Sequence, residues 1–175
     1  MPAATLVSVE EFERLPDPED GYLELHEGEV VLVSTPDFKH HRIEYNLVVL
    51  LIPLLRARGV CGAEQPFSGK GTSRMRADVG FTLWERVPKS GVVPGSPDFV
   101  IETDSPSNKE REMVRKRRIC LESGCAEFWT VFPDERFVRV ERGGAFVDYW
   151  PAQSILVPFS DGGTIGVDAV FEGID

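Results

Sequence analysis

Apolar and polar positions alternate along residues 75–84 as a strand requires. Ala77, Val79, Phe81 and Leu83 fall on one side, and Arg76, Asp78, Gly80 and Thr82 on the other. Strand-like runs also cover Val60 to Phe67 and Asp98 to Thr103, and the Pro/Gly-rich stretch Pro88 to Pro97 reads as a surface loop between strands. From Asp37 to Arg58 the period changes. Ile43, Leu47, Leu50, Leu51 and Leu54 form a helical stripe that kinks or ends near Pro53. Two capping boxes mark helix starts. Ser8 with Glu11 opens a short helix that stops at Leu15-Pro16, and Ser107 with Glu110 opens a helix over Asn108 to Ser123, with Gly124 as its stop. Tyr22 to Leu25 and Glu29 to Val33 pair through Glu27-Gly28 as a hairpin. A strand at Glu127 to Phe132, a hairpin through Arg142-Gly143-Gly144 and a last strand near Ile155 to Phe159 complete the chain. Interleaved helices and strands predict an α/β (α+β) fold with a mixed sheet flanked by helices.

The chain has 175 residues, enough for one domain over 1–175, and 42% of them are apolar, enough for a core. Nineteen basic against 29 acidic residues give a net charge of −10, which argues against a protein that coats duplex nucleic acid. An enzyme with one local basic face is not excluded. Met1 to Val9 lacks the basic start and apolar run of a signal peptide. The longest apolar run, Leu47 to Leu55, would span about 14 Å as a helix against a hydrocarbon layer of roughly 30 Å. No membrane association is expected. Cys61, Cys120 and Cys125 have no CxxC spacing, which points away from a disulfide framework and toward the cytoplasm.

Charge is uneven. Residues 1–30 carry nine acids against Arg14 alone, whereas 109–118 holds Lys109, Arg111, Arg115, Lys116, Arg117 and Arg118. Such a helix can follow a phosphate backbone, although a solvated face with its cations toward the C-terminal half explains the run as well. Asp78 and Glu102 are more informative, because a carboxylate in an apolar strand is costly unless paired, solvated or bound to a metal. Taken alone, Asp78 reads first as a strand-end acid in water. Asp98 and Glu102 lie about 13 Å apart along one strand and cannot share an ion. Asp78 and Glu102 can share one if their strands are neighbours, about 4.8 Å apart. A hard cation such as Mg²⁺ takes two or three such oxygens, and a nearby lysine can orient water or stabilise phosphorane charge.

The motifs in order are Tyr22-Leu23-Glu24-Leu25 with Gly28, His40 with Ile43 and Leu47, and Arg76-Ala77-Asp78-Val79. Pro97-Asp98-Phe99-Val100-Ile101-Glu102, Ser105-Pro106-Ser107, Lys116, Gly124 and Glu127-Phe128-Trp129 follow. Over residues 7–142 this order resembles the Uma2 family, a restriction-endonuclease-like group within the PD-(D/E)xK superfamily. The resemblance implies a Mg²⁺- or Mn²⁺-dependent endonuclease acting on DNA. Asp78 and Glu102 would be metal ligands, Glu24 a third acid, and Lys116 the catalytic lysine supplied from the helix. Asp104 stands where the strand lysine of the strict motif would be, and Cys120 where the family usually has tyrosine.

Other residues invite weaker readings. His40, with Lys109, Arg111 and Arg115, is a candidate for contact with the substrate backbone. His40 and Glu44 share a helix face, but with His41 and His26 as the only other histidines no zinc set is completed, so His40 belongs near the entrance of the acidic site. Asp98 after Pro97 suits a structural role at a strand entrance, and Ser107 a cap rather than a nucleophile. Two alternatives stand beside the endonuclease. One is a catalytically silent nucleic-acid-binding or regulatory module, favoured by the net charge and the missing strand lysine. The other is a small-substrate phosphodiesterase. A C₂ homodimer would let two copies address two strands.

Overall fold

A computed structural model describes residues 6–105 and 110–174. Helix α1 (Val9–Phe12) opens with the expected box, in which Ser8 N–H donates to Glu11 Oε2 at 2.8 Å and Glu11 N–H to Ser8 Oγ at 3.2 Å. It closes sooner than Leu15. Strands β1 (Tyr22–His26) and β2 (Glu29–Val33) pair with His26 opposite Glu29, leaving Glu27 and Gly28 to turn the chain. Both have positive φ, 52° and 88°, as a two-residue turn matched to the strand twist demands.

Helix α2 (Phe38–Leu55) is capped by Asp37, whose carboxylate accepts His40 N–H at 2.8 Å. Its apolar stripe is centred on Ile43, Leu47, Leu51 and Leu55, all fully buried, with Leu50 and Leu54 partly covered. Each such side chain contributes roughly 1.5–3 kcal/mol. Pro53 lies on the exposed side of the last turn, and the helix runs two residues beyond it.

Strands β3 (Gly59–Ser68) and β4 (Met75–Leu83) form a long antiparallel pair, followed by a 3-10 turn at Trp84–Arg86. The Pro/Gly stretch expected to be a loop contains a short strand, β5 (Val93–Pro94), added in parallel to β3. Next come β6 (Phe99–Thr103), helix α3 (Glu110–Glu122) and β7 (Glu127–Phe132). The Ser107 cap and Lys109 lie outside the described residues. Gly124 follows α3 with a φ of 106°, the conformation expected of a helix stop. The hairpin β8 (Phe137–Arg142) and β9 (Ala145–Tyr149) turns through Gly143 and Gly144. A further hairpin, β10 (Ser154–Leu156) and β11 (Thr164–Gly166), and helix α4 (Val167–Val170) follow.

The main sheet has the order β5-β3-β4-β6-β7-β8-β9, mixed because β3/β5 and β6/β7 run parallel. One face meets α2, α4 and the β10–β11 hairpin in the larger apolar cluster. Asn46 on α2 ties α4 down by donating to Val170 O at 3.0 Å and Glu172 O at 2.9 Å. The other face meets α3 in a smaller cluster around Phe67, Val100, Ile119 and Phe128. The β1–β2 hairpin stands apart from this sheet and clamps onto it through Leu25, which exchanges backbone hydrogen bonds of 2.8 Å with Arg74. Among the described residues, no helix is long and apolar enough to cross a membrane.

Candidate active site

β4 and β6 are antiparallel neighbours with Val79 opposite Ile101, so the next rung sets Asp78 beside Glu102. Asp78 N–H donates to Glu102 Oε1 at 3.3 Å, and Thr103 N–H donates to Asp78 Oδ2 at 2.7 Å. The two acids expected to meet do meet, and both are buried. Glu24 on β1 lies in the same cavity. Its Oε1 accepts Arg76 N–H at 2.9 Å and its Oε2 contacts His26 Nε2 at 2.7 Å, so protein groups engage both oxygens.

Of the cations on α3, Lys116 turns inward. It stands three residues after Met113 and four before Cys120, both of which pack in the cluster under α3, and its Nζ lies 2.8 Å from Glu102 Oε2 and 3.1 Å from Glu24 Oε1. Arg117 pairs with Glu141 on β8 at 3.2 Å, and the remaining three cations of α3 meet the acidic hairpin. Arg115 pairs with Glu29 at 2.5 Å and Glu27 at 3.3 Å, Arg118 with Glu27 at 2.6 Å, and Arg111, largely in solvent, approaches Glu29 at 3.9 Å.

His40 enters from α2, on the opposite layer. Its Nε2 lies 3.2 Å from Asp78 Oδ2 and 3.3 Å from Glu44 Oε1. His40, Glu44 and Asp78 each offer a ligand atom, and these atoms lie within 4.8 Å of one another. Glu44 Oε1 is buried and finds no well-directed hydrogen bond among the described residues. The partner that completes the His40–Glu44 pair is therefore a strand carboxylate, not a further histidine or cysteine. Sequence reasoning weighed Glu44 with His40 only as an incomplete zinc set, although its place between Ile43 and Leu47 on the buried stripe was a further signal: a carboxylate there needs a reason. His26 was counted only as a remaining histidine and was not expected at the site. As i+2 from Glu24 it shares a face of β1.

The electrostatics follow from this crowding. Four carboxylates (Glu24, Glu44, Asp78, Glu102) face one lysine and two imidazoles, so negative charge is in excess when all four are ionised, even with both rings protonated. Burial and the charge of Asp78 push the Glu102 carboxyl well above its usual range despite Lys116. Burial pulls the Lys116 ammonium down, but the carboxylates of Glu102, Glu24 and Asp78 outweigh it and hold the group protonated. The same contest at His40, burial against Asp78 and Glu44, ends with its pKa raised to about 10. For Glu24, burial is overcome by Lys116, His26 and Arg76 N–H, and its pKa falls to about 2. The cavity holds about 300 Å³, and Tyr22, the segment Val31 to Asp37, Glu64 and Met113 complete its wall.

Asp98 is elsewhere. It accepts Leu83 N–H at 2.9 Å and pairs with Arg86 at 2.6 Å, bracing the start of β6.

The sequence profile of the Uma2 family, described as "Putative restriction endonuclease", matches residues 9–174. The chain belongs to the Uma2 family. The match extends past residue 142 to include β10, β11 and α4, so the C-terminal hairpin and helix that cover α2 belong to the family's domain. The fold is similar to that in a crystal structure of a "putative nuclease belonging to DUF820" from Anabaena variabilis. That likeness has a TM-score of 0.83 at 23% identity and covers 94% of this chain and 97% of that one. No curated protein matches the chain. Within this Uma2 protein the residues quoted for the resemblance, Glu24, His40, Asp78, Glu102 and Lys116, line one cavity.

Proposed function

We propose that this Uma2 protein is a Mg²⁺- or Mn²⁺-dependent endonuclease that hydrolyses DNA phosphodiester bonds, with Asp78, Glu102, Lys116 and Glu24 as its working residues. The observation that carries the reading is the convergence of Asp78 and Glu102 from adjacent strands under the Lys116 ammonium. The residues fit a divalent cation. Asp78 and Glu102 offer hard oxygens, Glu44 Oε1 is a buried acceptor without a well-directed donor, and the cluster's excess negative charge is what such an ion offsets. Asp78, with Glu44, Glu102 and, on release of its proton, His40, would hold it. The chemistry it supplies when bound is Lewis-acid polarisation of a phosphoryl oxygen and activation of water.

The chain's own groups do the rest. Lys116, held protonated, serves as a hydrogen-bond donor and a fixed positive charge for the developing phosphorane, and it does not accept a proton at neutral pH. Glu24 fixes that ammonium, and because its own oxygens are saturated by protein donors we assign it to orienting Lys116 rather than to the ion. Arg111 is the best placed of the α3 cations to meet a phosphate, because its side chain is 84% exposed and only loosely paired. The three free cysteines agree with a reducing cytoplasm, and a C₂ dimer would let two copies cut both strands.

A second reading, a non-cutting binding or regulatory module, is favoured by one observation: Glu27 and Glu29 occupy Arg115 and Arg118, which reduces the basic surface beside the cavity. Nicking of supercoiled DNA with and without Mn²⁺ decides between them. The endonuclease reading expects divalent-dependent nicking that Asp78→Ala and Glu102→Gln abolish. Wild-type protein that binds Mn²⁺ but never nicks, or variants as active as wild type at equal folding, would overturn it.

A further inference from the structure

We infer that the backbone of Glu64, not its carboxylate, is a positioning device: its left-handed conformation turns β3 and β4 over at one rung and so brings Asp78 to His40 and Glu44. The inference rests on the reading of Asp78 as a cation ligand and deepens it.

The β3–β4 ladder pairs Ala63 with Val79 and Gln65 with Ala77, but no pair forms between Glu64 and Asp78. Side chains two apart in a regular strand share a face. Here they do not. Val79 and Phe81 pack in the cluster under α2, whereas Ala77 and Met75 pack in the cluster under α3. β3 behaves the same way, with Cys61 against the first cluster and Phe67 inside the second. Both strands therefore invert at the rung of Glu64 and Asp78. Glu64 has a φ of 52°, a region that non-glycine residues rarely enter and that a strand does not otherwise use.

The inversion has a direct consequence for the site. In an unbroken β4 with Val79 and Phe81 toward α2, Asp78 would point toward α3, on the side of Lys116 and away from His40. At the inverted rung its carboxylate instead reaches His40 Nε2 at 3.2 Å and accepts Thr103 N–H at 2.7 Å, while Glu102 stays with Lys116. The cluster can then draw groups from both layers of the fold. The Glu64 carboxylate lies toward Arg76, 3.6 Å from its Nη1, and is not one of the three converging ligand groups.

Two substitutions separate backbone from side chain. Glu64→Gly keeps the left-handed conformation accessible and deletes the carboxylate, whereas Glu64→Val makes that conformation costly. Hydrogen exchange of the Thr103 amide in metal-free protein reports whether Asp78 is still in place, and Mn²⁺ calorimetry reports the site. Glu64→Gly is expected to keep Thr103 exchange within about twofold, and Glu64→Val to lose about tenfold or more both in that protection and in Mn²⁺ affinity. Glu64→Ala, a milder change, gives a smaller loss in the same direction if the valine variant folds poorly. Unchanged Thr103 exchange in Glu64→Val and Glu64→Ala, or a loss in Glu64→Gly equal to that in Glu64→Val, overturns the inference. Wild-type protein that takes up no Mn²⁺ would instead defeat the proposed function, and the Thr103 exchange would still decide the role of Glu64.

Discussion

Replacing Lys116 with methionine isolates the electrostatics of the cluster. An unbranched stem of similar length is kept, but the ammonium between Glu24 and Glu102 is lost. Lys116 is 6% exposed and lies 2.8 and 3.1 Å from the two carboxylates, so its loss leaves both buried acids without their charged partner. Breaking a buried pair on one side costs about 3–5 kcal/mol. For a chain of this size that corresponds to a fall in Tm on the order of 10 °C. The assay is urea unfolding in EDTA at pH 7.5, for wild type, Lys116→Met, Glu102→Gln and the double variant. Glu102→Gln should rescue part of the Lys116→Met loss, because neutralising Glu102 removes one of the stranded charges. The pH dependence has a definite sign. Glu102 titrates above its unfolded value, so the penalty is complete above its folded pKa and shrinks as pH falls through that value toward 4.5. A loss below about 1 kcal/mol, or strictly additive effects in the cycle, would refute the claim that Lys116 neutralises this cluster.

Two further outcomes follow from single residues. Glu24 is buried with its pKa lowered to about 2 from 4.5, so its contribution is complete above about pH 4.5 and is lost as pH falls toward 2. It amounts to about 3 kcal/mol, and Glu24→Gln should flatten that part of the acid-unfolding curve, as followed by circular dichroism. Asp98→Ala should cost about 2–3 kcal/mol, by stranding Leu83 N–H and Arg86, yet leave Mn²⁺ affinity within about twofold because the residue braces β6 and does not face the cavity.

Local signals carried much of this. Gly28, Gly143 and Gly144 are turn residues whose positive φ follows from the missing side chain, and the Ile43–Leu47–Leu51 spacing follows from helix period, so each could be read without knowing the fold. Asp78 and Glu102 were legible as carboxylates out of keeping with apolar strands, and strand adjacency alone brought them together. What escaped the sequence depended on the tertiary context. Val93–Pro94 is too short to show periodicity and is a strand only because β3 offers an edge beside it. β11 and α4 are short elements held by packing on α2, with Asn46 supplying the hydrogen bonds. The alternation Ala77, Val79, Phe81 was read as a single face, but the turnover at Glu64 sends Ala77 to the other side. The sequence contains no glycine there to mark a positive φ. The cations of α3 looked available for phosphate, but the acids that engage Arg115 and Arg118 lie more than eighty residues earlier.

Anomalous diffraction from a crystal soaked in Mn²⁺ tests the central claim most directly. The expected result is a peak among Asp78, His40 and Glu44 with Glu102 in reach, lost in Asp78→Asn. An ion that settles only on surface acids such as Asp134 and Glu135, leaving the cavity under Lys116 without a peak, would contradict it.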